Sequence, residues 1–159
     1  MENVIWAIVL WAIVFILIPF DRIKTIWPIA VLSVVWMFIL GYTFIHLGYY
    51  HYTRYIAAIG GVPVFHLIGS GAGGLLLVNW LQRSALSKIL IVAIFSGLLS
   101  LSAYIFMLLN VFKMANGFNH VLHFAVNVAG VSILVWLSLA LVGEEKIYEG
   151  KRTRFTPFP

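Results

Sequence analysis

The sequence predicts an all-α fold, a polytopic membrane bundle of five transmembrane helices, on three observations. The chain of 159 residues is 63% hydrophobic and only 9% charged, where soluble domains carry about 25% charged and about half apolar residues. Its charges sit at the ends and in short clusters, leaving uncharged runs long enough to cross a hydrocarbon core of about 30 Å. None of those runs alternates as a strand would, and lipid offers the backbone no hydrogen-bonding partners, so each is read as a helix.

The first span, residues 3–20, closes on the polar turn Asp21-Arg22-Ile23-Lys24. The second, residues 28–51, opens at Pro28, because a first helical turn has no use for the amide that proline lacks. The third, residues 63–81, opens on Pro63 in the same way. Arg83 and Lys88 bracket the connection to the fourth span, residues 89–112, and the turn from Lys113 to Gly117 leads into the fifth, residues 118–142. Residues 1–142 thus form one transmembrane unit, followed by a polar tail at 143–159.

Basic residues orient the bundle. One side receives Arg22, Lys24, Arg83, Lys88, Lys146, Lys151, Arg152 and Arg154, and the other only Arg54 and Lys113. The positive-inside tendency puts the amino terminus outside and the carboxyl terminus in the cytoplasm. Met1-Glu2-Asn3 lacks a basic n-region and no small-residue cleavage site precedes Asp21, so the first span is expected to be retained as a helix. The expected location is the bacterial cytoplasmic membrane, crossed several times. In the tail, Lys146, Lys151, Arg152, Arg154, Phe155 and Phe158 are expected to rest on the anionic inner leaflet, opposed by Glu144, Glu145 and Glu149.

Composition also excludes functions. With no cysteine, disulfides, thiolate ligands, thiol nucleophiles and iron–sulfur clusters are ruled out. The net charge of +5 arises outside the spans, so its expected partners are the headgroups of the lipid bilayer and no nucleic acid. Other membrane subunits, or further copies of the chain in a homo-oligomer, remain open as partners.

An internal repeat is suggested by alignment. Laying His66 over His123 also matches Val64 with Val121, Ala72 with Ala129, Gly73 with Gly130, Leu77 with Leu134 and Val78 with Val135. The preceding spans match Tyr42 with Tyr104, Phe44 with Phe106 and Leu47 with Leu109. Spans two and three would then form one helical hairpin and spans four and five its copy, related by an axis along the membrane normal.

All five histidines fall in the outer part of such a bundle: His46, His51, His66, His120 and His123. Tyr49, Tyr50, His51 and Tyr52 read as an interfacial belt, while His46, His66 and His123 lie deeper, where ionisable groups are costly and mark candidate sites. Helical spacing aligns His66, Ser70, Gly73 and Leu77 on one face and His123, Asn127, Gly130 and Leu134 on another, with His120 one turn earlier. The small residues in these stripes, as in Gly69-x-x-x-Gly73 and Ala125-x-x-x-Ala129, let helices approach closely. On the fourth span Ser96, Ser100, Ala103, Met107 and Asn110 make a comparable stripe. The bundle is therefore expected to converge on an outward-facing pocket of His46, His66, Asn110, His120, His123 and Asn127.

Several ligands suit that chemistry. Facing imidazoles could ligate a b-type haem; His66, His120 and His123 could hold a copper or zinc ion; and a quinone-like headgroup suits histidine, asparagine and tyrosine. Against these stands a purely structural role, interhelical hydrogen bonds worth about 0.6 kcal/mol each. Catalysis has less support, because Glu2, Asp21, Glu144, Glu145 and Glu149 all lie outside the spans, leaving no buried carboxylate for acid–base work. Ser70 lies among glycines, but Ile68-Gly69-Ser70-Gly71 lacks the first glycine of the Gly-x-Ser-Gly motif of intramembrane serine proteases, and small residues at helix contacts explain it without chemistry.

Asp21-Arg22-Ile23-Lys24, Leu47-Gly48-Tyr49-Tyr50-His51-Tyr52, Gly61-Val62-Pro63 before a glycine-rich span, and Val135-Trp136-Leu137-Ser138 resemble motifs of small uncharacterised five-span membrane proteins of spore-forming Gram-positive bacteria. That resemblance implies the topology and no activity. Size and an outward pocket give a further analogy with the substrate-binding membrane subunits of energy-coupling-factor transporters. The sequence thus predicts a small ligand-binding membrane protein, with a structural or assembly subunit of a larger membrane complex, or a transporter's binding component, as the alternatives.

Overall fold

The computed structural model describes residues 1–150 together with Thr153 and Arg154. Its elements in chain order are α1 (Glu2–Leu17), α2 (Phe20–His46), β1 (Tyr50–Tyr52), β2 (Ala58–Ile59), β3 (Val62–Pro63), α3 (Val64–Trp80), α4 (Ala85–Leu108), β4 (Phe112–Met114), α5 (His120–Val142) and α6 (Glu144–Tyr148). The chain is mostly helical, and α2, α4 and α5 are long and apolar enough to cross a membrane. The apolar helices α1 and α3 are shorter, at 16 and 17 residues. The chain is a membrane protein.

Several boundaries differ from the sequence reading. Helix α2 begins at Phe20, capped by Pro19, and Pro28 lies inside it. Asp21-Arg22-Ile23-Lys24 therefore forms the first turn of α2 and is not a connecting turn. Proline at 28 deprives the Lys24 carbonyl of its helical donor, and Lys24 lies exposed at the bundle's end, where water can replace it. Pro63 does stand at the entrance of α3, as its N-cap. Helix α4 starts at Ala85, four residues before the expected position, because the Ser84 hydroxyl accepts the Ser87 amide and caps it.

The ends of α2 and α4 share one geometry. Gly48 and Asn110 both adopt left-handed backbone, φ 75° and 55°. Behind them Tyr49 N donates to Phe44 O and Val111 N to Phe106 O, each at 2.9 Å, the closure that ends a helix in a left-handed residue. Both chains then run into three-residue strands. β1 and β4 pair antiparallel, Tyr50 with Met114, His51 with Lys113 and Tyr52 with Phe112. Thr53 N donates to Val111 O at one side and Ala115 N to Tyr49 O at the other, both 3.0 Å. Side chains alternate across a strand, so Tyr50 and Phe112 turn into the bundle while His51 and Lys113 face out. These strands were absent from the sequence reading, in which residues 28–51 formed one helix.

The opposite end gathers the basic residues and the main apolar core. Val14, Ile18, Ile26, Ile29, Leu75 and Leu81 are fully or almost fully buried there. Gly143, at φ 90°, turns the chain out of α5 into α6, whose Ile147 and Tyr148 insert into that core. The start of the tail is thus docked protein, not a polar extension. Arg22, 5% exposed, holds it: its guanidinium donates to the carbonyls of Lys146, Ile147 and Glu149 and to Asn79 Oδ1. Arg83 pairs with Glu149 at 3.6 Å, Arg83 and Lys88 both approach the Tyr148 ring, and Arg154 donates to Ile18 O at 3.1 Å. Lys151, Arg152, Phe155 and Phe158, for which membrane anchoring is expected, lie outside the described residues.

Candidate functional site

Between the two ends the helices border two partly open chambers, of about 70 and 90 Å³. The upper one lies beneath the β1–β4 sheet, roofed by Tyr50, Tyr52 and Phe112 and walled by His66, His123 and Asn127. The lower one is lined by all five long helices, with Trp6, Trp36, Gly73, Phe95 and Gly130 among its walls. Met37, Leu40, His66, Leu99 and Asn127 line both, so the two meet at the level of His66.

Helix geometry explains why the void exists. His66, Ser70, Gly73 and Leu77 all line the lower chamber, as do Asn127, Gly130 and Leu134 from α5. Glycine leaves space where a side chain would fill it: a Cβ on Gly73 would meet nothing within 4 Å. The neighbouring Gly74 differs, because its Cβ would overlap Ser33, with Ser33 Cβ at 2.7 Å. Gly74 serves close packing of α2 against α3, and Gly73 opens the chamber.

The polar groups around the cavity are unequally satisfied. Tyr50 Oη and His123 Nδ1 share a hydrogen bond of 2.7 Å. Asn127 Nδ2 donates to Ser100 Oγ at 3.2 Å. Trp36 Nε1 donates to Gly130 O at 2.9 Å, joining α2 to α5. His66 Nδ1 is enclosed and has no hydrogen-bond partner among the described residues, and the same holds for Ser33 Oγ. The His66 ring lies 5.8 Å from that of Tyr52 and 6.5 Å from that of Phe106. Burial pushes the phenols of Tyr50 and Tyr52 up from their ordinary value, so both present O–H groups.

Of the six residues expected in the pocket, the structure brings together His66, His123 and Asn127. His46 is exposed at the end of α2, where Nδ1 meets Tyr42 O at 3.0 Å and the ring lies against Tyr42, centroids 3.9 Å apart. His120 is also exposed, its ring 5.6 Å from that of Tyr104. Asn110 supplies the left-handed turn after α4, and its carbonyl accepts from Thr53 Oγ1. The metal set of His66, His120 and His123 is therefore not assembled: His120, the first residue of α5, lies exposed against Tyr104, while His123 turns inward to Tyr50. Among the described residues no three histidine, aspartate or glutamate side chains gather as a metal site.

Two site residues were assigned elsewhere by the sequence. Tyr50 and Tyr52 were read as an interfacial belt, yet Tyr50 is 8% exposed and Tyr52 lines the chamber. Their spacing of two, with His51 between them, was the available signal of a strand with one face inward. Ser70 Oγ donates to Leu67 O at 2.7 Å, the back-bonding ordinary for a helical serine. For size, an engineered apolar cavity of about 150 Å³ accepts benzene, whereas cofactor pockets run to about 300–1,000 Å³. Each chamber alone falls short of that benzene cavity and the two together, at about 160 Å³, match it, so a haem would require the helices to part.

Fold and cavity together define a helical membrane protein with a chamber lined by histidine, tyrosine and asparagine at one end of its bundle. No family model matches the chain, and no curated protein or solved structure is recognisably similar to it.

Proposed function

We propose that this is a five-pass protein of the bacterial cytoplasmic membrane that binds a small ligand in the His66–His123 cavity. Packing of α1 and α3 within the bundle supports five passes: at about 1.5 Å per residue they reach some 24 Å, a shortfall that bilayers accommodate by thinning. Arg22, Lys24, Arg83, Lys88 and Lys146 cluster at the end opposite Glu2 and Arg54, whose side chains lie 3.9 Å apart, and this supports an external amino terminus. A reporter fused after Pro159 should therefore behave as cytoplasmic. Matching helix ends after α2 and α4, and a strand pairing symmetric about His51 and Lys113, support a duplicated hairpin.

The observation that carries the binding reading is that polar groups surround a void instead of one another. Buried polar atoms are nearly always hydrogen-bonded, to protein or to water, and no protein group meets His66 Nδ1 or Ser33 Oγ among the described residues, so the groups that satisfy them are to be sought in the cavity itself. The second reading is a structural or assembly subunit of a larger membrane complex, favoured by the interhelical bonds Trp36–Gly130 and Asn127–Ser100. Purification of the chain alone, followed by solvent extraction and mass spectrometry, separates the two. Binding requires one small molecule recovered in stoichiometric amount from monodisperse protein. Monodisperse protein yielding none, or a chain recoverable only with a partner, would overturn it.

A further inference from the structure

The two connections at the sheet end of the bundle differ in composition. The one from α4 to α5 carries Lys113, Asn116 and Asn119, as a loop in water should. The one from α2 to α3 continues after Arg54 as Tyr55-Ile56-Ala57-Ala58-Ile59-Gly60-Gly61-Val62-Pro63, without a charged residue. Val62 and Pro63 are buried, yet Tyr55, Ile56 and Ile59 are turned outward, 50%, 62% and 55% exposed.

Contacts fix how far this segment descends. At its start Arg54 is held at the helix ends, donating to Leu109 O at 2.8 Å and lying 3.9 Å from Glu2. From there β2 and β3 fold back along α2. A Cβ on Gly60 would overlap the Tyr42 ring, at 2.5 and 2.9 Å, and come within 3.6 Å of the Phe38 ring, while Gly61 lies against Ile45 and Val62 against Gly41. Tyr42 and Phe38 precede His46, the last residue of α2, so at helical rise the hairpin tip lies about 6–12 Å below that helix end. Helical side chains lean toward the amino terminus, which places the tip no higher. Tyr42 and Tyr104 are both exposed at this level of α2 and α4, as tyrosines are where a membrane meets water. Backbone at such a depth must find its partners within the protein. Here Ala58 pairs with Pro63 and Ile59 with Val62, and Val64 N donates to Ala57 O at 2.9 Å.

We propose that the β2–β3 hairpin is inserted in the outer leaflet, with Ile56 and Ile59 among the acyl chains and Tyr55 at the headgroups. Helix α3 then begins below the membrane surface, and the hairpin completes its crossing. An apolar segment held at the boundary of headgroups and acyl chains is an interfacial anchor, and this one fixes the depth of α2 and α3 while the α4–α5 connection stays in water. The insertion is independent of the cavity and rests on the five-pass topology.

The chain contains no cysteine, so single cysteines report depth without background. Full-length Ile59→Cys and Lys113→Cys, both at exposed positions, are placed in nanodiscs of phosphatidylcholine and phosphatidylglycerol and treated with a quaternary-ammonium methanethiosulfonate. Lys113→Cys should react about a hundredfold faster, because the thiolate is the nucleophile and apolar surroundings suppress it. A nitroxide attached at position 59 should be relaxed by oxygen in preference to an aqueous nickel chelate, and one at position 113 by the chelate in preference to oxygen. Equal thiol rates in nanodiscs, or a difference that survives denaturation in dodecyl sulfate, would overturn insertion whichever leaflet the hairpin meets, whereas the reporter after Pro159 tests orientation alone. A nitroxide at position 59 shielded from both oxygen and nickel would put that side chain against protein and overturn the insertion as well.

Discussion

The two ends of the bundle handle buried polarity in opposite ways. At the basic end Arg22 is the most demanding group in the core, with five donors on one planar fork, and it reaches the Asn79 amide and three carbonyls of the docked carboxyl-terminal segment. Around it Ile18, Ile26, Leu81 and Ile147 are fully buried, so the charge is both satisfied and enclosed. At the sheet end the polar groups are imidazole, phenol and amide, and they border open space. Tyr50 engages His123, whereas His66 Nδ1 has no hydrogen-bond partner among the described residues. One end is organised to hold the chain together, and the other borders a cavity.

That contrast can be tested by substitution. The largest effect is expected at the basic end. Arg22→Met keeps an apolar stem but removes charge-assisted bonds to α6, which should cost about 3 kcal/mol and release the carboxyl-terminal segment to protease. Thermal unfolding in detergent with limited proteolysis checks both. Next come the adjacent glycines of α3. Gly74→Ala drives a methyl into Ser33 and should cost about 1–3 kcal/mol. Gly73→Ala meets nothing and should be neutral, or stabilising by up to about 1 kcal/mol from helix propensity. Equal costs at 73 and 74 would erase the distinction between a packed and an open face. The smallest effect is expected for Tyr50→Phe, about 0.6 kcal/mol, visible in the nitrogen chemical shifts of His123 more clearly than in stability.

These ends were unequally legible in the sequence. Long uncharged runs and clustered basic residues exposed the helices and grouped Arg22, Arg83 and Lys146, because hydrophobic length and loop charge are local properties. The stripes through His66 and His123 were legible for the same reason: period 3.6 decides which residues share a face. Exits from helices were not. Whether His46 and Asn110 enter a pocket depends on where α2 and α4 stop, and that is decided by left-handed turns at Gly48 and Asn110 itself. The inward turn of Tyr50 required a strand of three residues whose partner lies in a distant loop, a pairing no local pattern announces. The docking of Ile147 and Tyr148 was hidden by the charged residues around them, and depends on a buried arginine more than 120 positions earlier in the chain.

The most direct measurement fills the lower chamber. Gly73→Val places a branched side chain where no atom lies within 4 Å of a Cβ, and the variant is compared with wild type for small molecules retained through purification and for thermal midpoint after ligand is stripped. The account predicts that the variant retains no ligand and that its midpoint is at least as high as that of stripped wild type. A variant that unfolds, or one that carries the same molecule in the same amount as wild type, would contradict the claim that this cavity is the binding site.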